Sequence, residues 1–220
     1  MHADLIDELP EEDRRALLAA TSRRRYRKGE TIVHEGDPAD ALHLLAKGRV
    51  AIRRTTTLGD VVTVNVLAVG SNFGELALVE PDARRSASVV ALEPTETLVL
   101  TRAAFDDVRR VHPHVSDLLL RMMGRRIREL TTQVVEALHL PAEARVTARL
   151  TELAALYPED RDGSVSIPLT QEDVATMAGT TRPTANRVLQ DLVQRGVVTL
   201  SRGRITVIDR TRLADVVRPA

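Results

Sequence analysis

The segment Phe73-Gly74-Glu75-Leu76-Ala77-Leu78, followed at a short interval by Arg85-Ser86-Ala87, carries the residue types that grip a phosphorylated nucleotide. Gly74 lets backbone N–H groups approach an anion at the start of a short helical turn, and Arg85 supplies a planar cation. A carboxylate repels a phosphate, so Glu75 makes sense as an acceptor for neutral donors such as sugar hydroxyls. Ser86 adds one more donor for the phosphate. No catalytic machinery is attached to these groups, so the chemistry they support is binding, and the expected role is that of a sensor.

Composition narrows the field further. The chain has no cysteine, which excludes disulfides, thiolate metal centres, cysteine-ligated iron–sulfur clusters and thiol redox sensing. Its six histidines, His2, His34, His43, His112, His114 and His139, form no cluster, so neither a haem nor a metal site is expected. No nucleophile-elbow, Walker or zincin motif is present, which argues against an enzyme. With 31 basic and 31 acidic residues the formal net charge is zero, so any nucleic-acid partner must be recognised by local charge. The stretch Asp4-Leu5-Ile6-Asp7-Glu8-Leu9 is acidic and amphipathic, and no apolar run approaches the ~20 residues of a membrane span. A cytoplasmic protein without a membrane partner is therefore expected.

At 220 residues the chain has room for two modest domains. A short helix is predicted over residues 4–20. Strand-like segments then recur at Glu30 to His34, Ala41 to Leu45, Val50 to Arg54, Val61 to Leu67, Ala87 to Ala91 and Thr97 to Thr101, with Gly29, Gly36, Gly48, Gly59 and Gly70 between them. Short β-branched strands at this spacing predict a small sandwich, with a jelly roll the natural candidate. The basic run Arg23-Arg24-Arg25-Tyr26-Arg27-Lys28 reads as a solvated loop.

The pattern changes at His112-Pro113. A helical period runs to Leu140, in which Leu120, Met123, Ile127, Leu130, Val134 and Ala137 alternate at spacings of three and four. That is an a/d seam of about three heptads, and it asks for a second helix, most simply that of an identical chain. Leu119 and Met122 fall on another face and are expected to cover the sandwich.

Pro141 ends this helix, and a helix from Glu143 to Leu156 and a polar loop from Pro158 to Ser164 follow. Thr170-Gln171-Glu172-Asp173 then resembles a capping box with Asp in the place of the usual Glu or Gln. The helix it opens runs to about Met177-Ala178. Gly179 gives a tight turn, Thr181 caps the next helix, and Arg182 to Gln194 buries Ala185, Val188, Leu189 and Leu192. The spacing is that of a helix-turn-helix, and Val197 to Ser201 with Arg204 to Ile208 form a predicted β-hairpin that makes the unit winged. Between Thr181 and Arg204 stand five arginines, at 182, 187, 195, 202 and 204, against one acid, Asp191. Such a face suits a phosphate backbone.

Taken together, these blocks resemble the Crp/Fnr family of bacterial transcription regulators, over nearly the full length of the chain. The resemblance rests on Gly74-Glu75-Leu76 to Arg85-Ser86-Ala87, on the long helix bearing Thr131-Thr132, and on Leu169 to Ala175 with Arg182 to Leu189. It implies an α+β protein with three parts: a jelly-roll cyclic-nucleotide-binding domain at 1–112, a dimerisation helix at 113–140, and a winged helix-turn-helix DNA-binding domain at 141–220. It further implies that Arg85 and Ser86 hold a cyclic phosphate, that Gly74 and Leu76 shape the turn, and that Glu75 binds the ribose 2′-hydroxyl. Thr131 and Thr132 stand where relatives that bind cyclic AMP contact the adenine. On the DNA side Arg182 and Arg187 match the two recognition-helix arginines, while Thr170, Thr180, Thr181, Thr184, Asn186 and Arg202 are further candidates for DNA contact. One departure is Pro183, which stands where a glutamate often follows the first arginine.

The implied function is a homodimeric regulator of double-stranded DNA at a two-fold operator, controlled by cyclic AMP as allosteric effector and working with RNA polymerase. No metal, haem or iron–sulfur cluster is implied. The alternative is a regulator of the same family that binds DNA without nucleotide or answers to a different small ligand.

Overall fold

The computed structural model describes residues 5–217, so His2 and Asp4 lie outside the described residues. Contacts group the chain into two compact units, one holding most residues up to Leu130 and one those from Thr131 onward.

The first unit opens on a 3₁₀ turn, Leu5–Glu8, and helix α1, Glu11–Ala19. The single helix expected over 4–20 is thus broken at Pro10. Proline disfavours helical backbone in the residue before it, here Leu9, and itself serves as the N-cap of α1. Strand β1, Ser22–Tyr26, corrects the expectation of a solvated loop: it pairs antiparallel with a later strand, and Arg23 and Arg25 both reach Glu96 of that strand. The charges lie on a solvent-facing edge, where strand structure costs them no desolvation.

The remaining strands are β2 (Thr31–Val33), β3 (Ala41–Lys47), β4 (Val50–Thr55), β5 (Val61–Leu67), β6 (Asn72–Phe73), β7 (Ser88–Ala91) and β8 (Thr95–Thr101). They form two four-stranded sheets, ordered β1-β8-β3-β6 and β2-β7-β4-β5, the sandwich predicted from the spacing of the apolar runs. Helix α2, Leu76–Val79, interrupts the strands between β6 and β7, and α3, Arg102–Val111, follows β8.

Alternation along β3 divides its side chains between two cores. Leu42 and Leu44 face one way, into a cluster with Leu100, Leu17, Phe105, Val115, Leu118 and Met122. Leu45 faces the other sheet, in a cluster with Val50, Phe73 and Val89. The first cluster ties the sheet to α1, to α3 and to the start of α4, the long helix His114–His139. Only one face of α4 is used in this way. Val115, Leu118 and Met122 are buried and Leu119 packs beside them, whereas Leu120, Ile127, Leu130 and Val134 of the predicted seam are 45–70% exposed. Ala137 is exposed too, and Met123 is half-buried.

The second unit contains the end of α4, then α5 (Ala142–Leu156), β9 (Val165–Ile167), α6 (Gln171–Met177), α7 (Arg182–Gln194), β10 (Val198–Ser201), β11 (Arg204–Val207) and α8 (Arg210–Val217). The hairpin β10–β11 gains a third strand just beyond the loop predicted from Pro158 to Ser164: β9 pairs antiparallel with β11. Its three residues are too few to display a period, and Val165 and Ile167 become inward-facing only because β11 lies beside them. Val146, Leu150, Leu189, Leu192, Val198, Ile205 and Leu213, each at most 1% exposed, are among the residues that form the core.

The start of α6 is a complete capping box. Thr170 Oγ1 accepts from the Asp173 backbone N–H at 3.1 Å, and Asp173 Oδ2 accepts from the Thr170 backbone N–H at 2.8 Å. Asp173 is shorter than the usual glutamate yet closes the same ring. Replacing Thr170 by alanine removes the side-chain acceptor, and the expected outcome is a loss of about 1 kcal/mol of stability, read in the denaturant midpoint of the second unit.

Candidate functional site

The turn between β6 and α2 is built around Gly74. Its φ of +81° lies in the left-handed region, and a Cβ there would overlap Arg85 Nη1 and stand 2.8 Å from the Ala41 carbonyl oxygen. Glycine is therefore required twice, by backbone conformation and by the guanidinium packed against it. Arg85, 7% exposed, donates from Nη1 to the Ala41 carbonyl at 2.8 Å and from Nη2 to Asp40 Oδ1 at 3.2 Å. The backbone on either side is pinned to the loop before β3. The Arg85 N–H donates to the Asp37 carbonyl, the Gly36 N–H to the Arg85 carbonyl, and the Ala39 N–H to the Ala83 carbonyl, each at 2.8 Å. Burial lowers the pKa of Arg85, and the carboxylate of Asp40 opposes that shift. From so high an ordinary value the guanidinium stays charged.

The other residues of the cassette take separate places. Glu75 is the half-buried N-cap residue of α2, Leu76 packs against the small cluster of Ala39, Ala77 and Ala83, and Ser86 is exposed. Nothing in the sequence pattern points to Asp40. Its side chain is 84% exposed, so its pair with Arg85 has one buried and one solvated partner.

His43 is a second residue without a sequence signal. It is 6% exposed, stacks on Phe73 with ring centroids 4.8 Å apart, and shares a hydrogen bond of 3.3 Å with Thr97 Oγ1. Burial first, and the nearby Arg85 charge second, lower its pKa from 6.5 to about 4. The neutral ring backs Phe73, the residue that leads into Gly74. Among the described residues no group of three or more His, Asp or Glu side chains is placed to hold a metal ion, and no helix is long and apolar enough to cross a membrane.

Thr131 and Thr132 lie exposed on α4 in the second unit. In the same unit α6 ends at a turn whose Gly179 has φ +58°, and α7 begins with Thr181 as N-cap and Pro183 in its first turn. Thr181 Oγ1 accepts from the Thr184 N–H at 3.4 Å and lies 3.0 Å from Thr184 Oγ1. Ala185, Val188, Leu189 and Leu192 face inward, as the predicted stripe requires, which turns Arg182 and Arg187 to solvent. Each of these arginines stands near a carboxylate, Arg182 at 3.7 Å from Glu172 and Arg187 at 3.4 Å from Glu143. Both pairs are well exposed, so each is worth less than about 1 kcal/mol and yields readily to a stronger acceptor.

The remaining candidates differ in how far their polar atoms are already engaged. Thr170 spends its hydroxyl on the capping box, and Asn186 is half-buried with its Oδ1 sealed from solvent and unpartnered. Thr180 is half-buried in the turn, and Arg202 is exposed at the hairpin tip beside Gly203. Arg195 pairs with Asp191 at 2.9 Å, and Arg204 donates to Ser166 Oγ at 2.6 Å.

Comparison with known proteins matches both units. A model of the cyclic nucleotide-binding domain covers residues 23–112, and one of the Crp-like helix-turn-helix domain covers residues 144–216. The chain is 34% identical to the cyclic AMP receptor protein of Thermus thermophilus over 200 residues, which are 90% of this chain and 89% of that one. It is 28% identical to a CRP-like cAMP-activated global transcriptional regulator of Mycobacterium tuberculosis, over 86% of this chain and 85% of the relative. The crystal structure of Thermus thermophilus catabolite activator protein aligns with a TM-score of 0.56 at 32% identity, covering 98% of each chain.

Two outcomes follow from this geometry. Gly74→Ala combines a left-handed alanine with an overlap against Arg85, and is expected to cost about 2 to 4 kcal/mol in the denaturant unfolding of the first unit. His43 is buried neutral, so the unfolded chain takes up its proton first. The stability this residue contributes is full above pH 6.5 and falls as the pH drops toward 4. Replacing it with phenylalanine should flatten the unfolding profile across that window by up to roughly 3 kcal/mol, measured as denaturant midpoints at a series of pH values.

Proposed function

The chain belongs to the Crp/Fnr family of transcription regulators and is a DNA-binding regulator with a cyclic nucleotide-binding domain, and on that premise we propose that it works as a homodimer whose affinity for a two-fold operator rises when cyclic AMP binds. The observation that carries this reading is the buried guanidinium of Arg85, held against Gly74 with the exposed, displaceable carboxylate of Asp40 as a hydrogen-bond partner. A cyclic phosphate offers Arg85 a bidentate, charge-assisted partner in place of Asp40. Ser86 is exposed beside it to donate a further hydrogen bond, and Glu75 is the acceptor for the ribose 2′-hydroxyl. Gly74 and Leu76 shape the turn, while Thr131 and Thr132 are the adenine contacts. Cyclic AMP is favoured over other nucleotides because the two relatives described above carry its name.

The exposed apolar face of α4 supports the homodimer. Leu120, Ile127, Leu130 and Val134 are large apolar side chains left exposed on one face, with Met123 and Ala137 completing the seam. A second α4 would bury that face as a two-stranded coiled coil. Domain roles follow the same division: residues 1–112 sense, 113–140 pair and 141–220 read DNA.

Arg182 and Arg187 are the base readers, suited to bidentate contact with guanine O6 and N7 in the major groove. Thr170, Thr180, Thr181, Thr184, Asn186 and Arg202 contribute contacts to the duplex around them. Pro183 has no side-chain acceptor for a cytosine amino group, so the preferred half-site differs from that of relatives with glutamate at this position. Ligand and DNA are coupled by population shift: the nucleotide binds the DNA-competent arrangement better, and RNA polymerase is the partner through which operator occupancy reaches transcription. A regulator of this kind works in the cytoplasm.

The test is a DNA-binding titration on a selected operator with cyclic AMP, with cyclic GMP and with neither. Cyclic AMP is expected to raise the affinity of the wild-type protein by about 5- to 150-fold, and Arg85→Ala should abolish the rise while leaving basal DNA affinity in place. An equal response in wild type and Arg85→Ala, or no response in the wild type, would overturn nucleotide control.

A further inference from the structure

Four carbonyl oxygens from two separate segments converge on one side chain, Arg145 in the first turn of α5. Its Nη1 donates to the Leu140 carbonyl at 2.8 Å and to that of Ala137 at 3.4 Å, at the end of α4. Its Nε donates to the Ala178 carbonyl at 2.8 Å and its Nη2 to the Gly179 carbonyl at 3.0 Å, at the end of α6 and in the turn before α7. All of these residues belong to the second unit.

Helix C-termini leave their last carbonyls without intrahelical donors and carry partial negative charge. A guanidinium answers both needs, because its five donors lie in a rigid planar fork and its charge opposes the dipoles. A single planar group that binds two helix ends also fixes their mutual orientation. The turn so held has little freedom of its own: Gly179 donates to the Thr176 carbonyl and Thr180 to that of Ala175. The recognition helix starts two residues later, at Arg182. Beside this, Arg149 pairs with Glu136 at 2.9 Å and so holds α5 to α4.

We propose that Arg145 is the positioning residue that sets the direction in which the recognition helix leaves α4, and thereby the separation of the two recognition helices in the DNA-bound dimer. The inference rests on the reading of a homodimer paired through α4 at a two-fold operator. Two recognition helices must enter major grooves about 34 Å apart, one duplex turn. If each is referred to the dimer axis through α4, the guanidinium is the link at which angular error enters. Lysine cannot replace it, since one ammonium cannot span both helix ends in a fixed plane.

The experiment measures affinity at one salt concentration, with saturating cyclic AMP, for a selected operator and for versions with one or two base pairs added or removed at its centre. The wild-type protein is expected to lose on the order of a hundredfold when the spacing is wrong, since an ill-spaced site forfeits one recognition helix. Arg145→Gln should bind the natural operator about tenfold more weakly and discriminate between spacings by only a few fold. Arg145→Lys, which keeps the charge, should behave in the same way and serves if the glutamine variant fails to fold. Leu213→Ala, at a buried residue of α8 that takes no part in these hydrogen bonds, should lower the thermal midpoint of the same unit and retain wild-type discrimination. Full spacing discrimination in either Arg145 variant overturns the inference. A wild-type protein that binds all spacings alike instead overturns the two-fold operator reading, and the inference falls with it.

Discussion

The first unit depends on the approach of the Gly74 backbone to the Arg85 guanidinium. No Cβ fits between them, and the same nitrogen that would meet it is bonded to the Ala41 carbonyl. One contact therefore joins three stretches of chain: the turn after β6, the segment before β7 and the entry to β3. The backbone bonds from Gly36, Ala39 and Arg85 hold the last two together, so the cation cannot move without the loop. His43 and Phe73 complete the support from the sandwich interior, where a neutral ring costs far less than a charged one. The result is a cation held in a nearly buried place with an exposed carboxylate beside it, an arrangement suited to exchanging one acceptor for another.

Helix α4 solves a different problem with the same economy of residues. Its period of 3.6 lets Val115, Leu118 and Met122 close the sandwich core while Leu120, Ile127, Leu130 and Val134 point elsewhere. The two stripes were separable in the sequence because their spacings interleave without sharing a position. The second stripe leaves apolar surface in water, and an association that covers it would draw its free energy from that burial.

The helix-turn-helix was the most legible part. Thr170, Asp173, Gly179, Thr181 and Pro183 act through their own backbone or within one helical turn, so their consequences are local. Each of them has the capping or turn role that its type predicts. The basic run at 23–28 is the opposite case. Nothing within it signals a strand, and its pairing with β8 depends on Glu96, some seventy residues away. Strand β9 has no local signature on similar grounds, because its partner lies about forty residues further on.

By itself the sequence determined most strands of the sandwich, the helix-turn-helix, the turn that needs a glycine, the two-faced helix and the arginines that α7 presents, since each follows from local sterics or from a repeat along one element. Only the tertiary structure decided which groups meet. It put Asp40 and Ala41 on Arg85, His43 on Phe73, Glu143 and Glu172 beside Arg187 and Arg182, and four carbonyls on Arg145. The physical reason is one of range. A cap or a period is written within a few residues, whereas a buried cation takes its partners from whatever carbonyl or carboxylate the folded chain brings within hydrogen-bond reach, and no pattern along the chain records that distance.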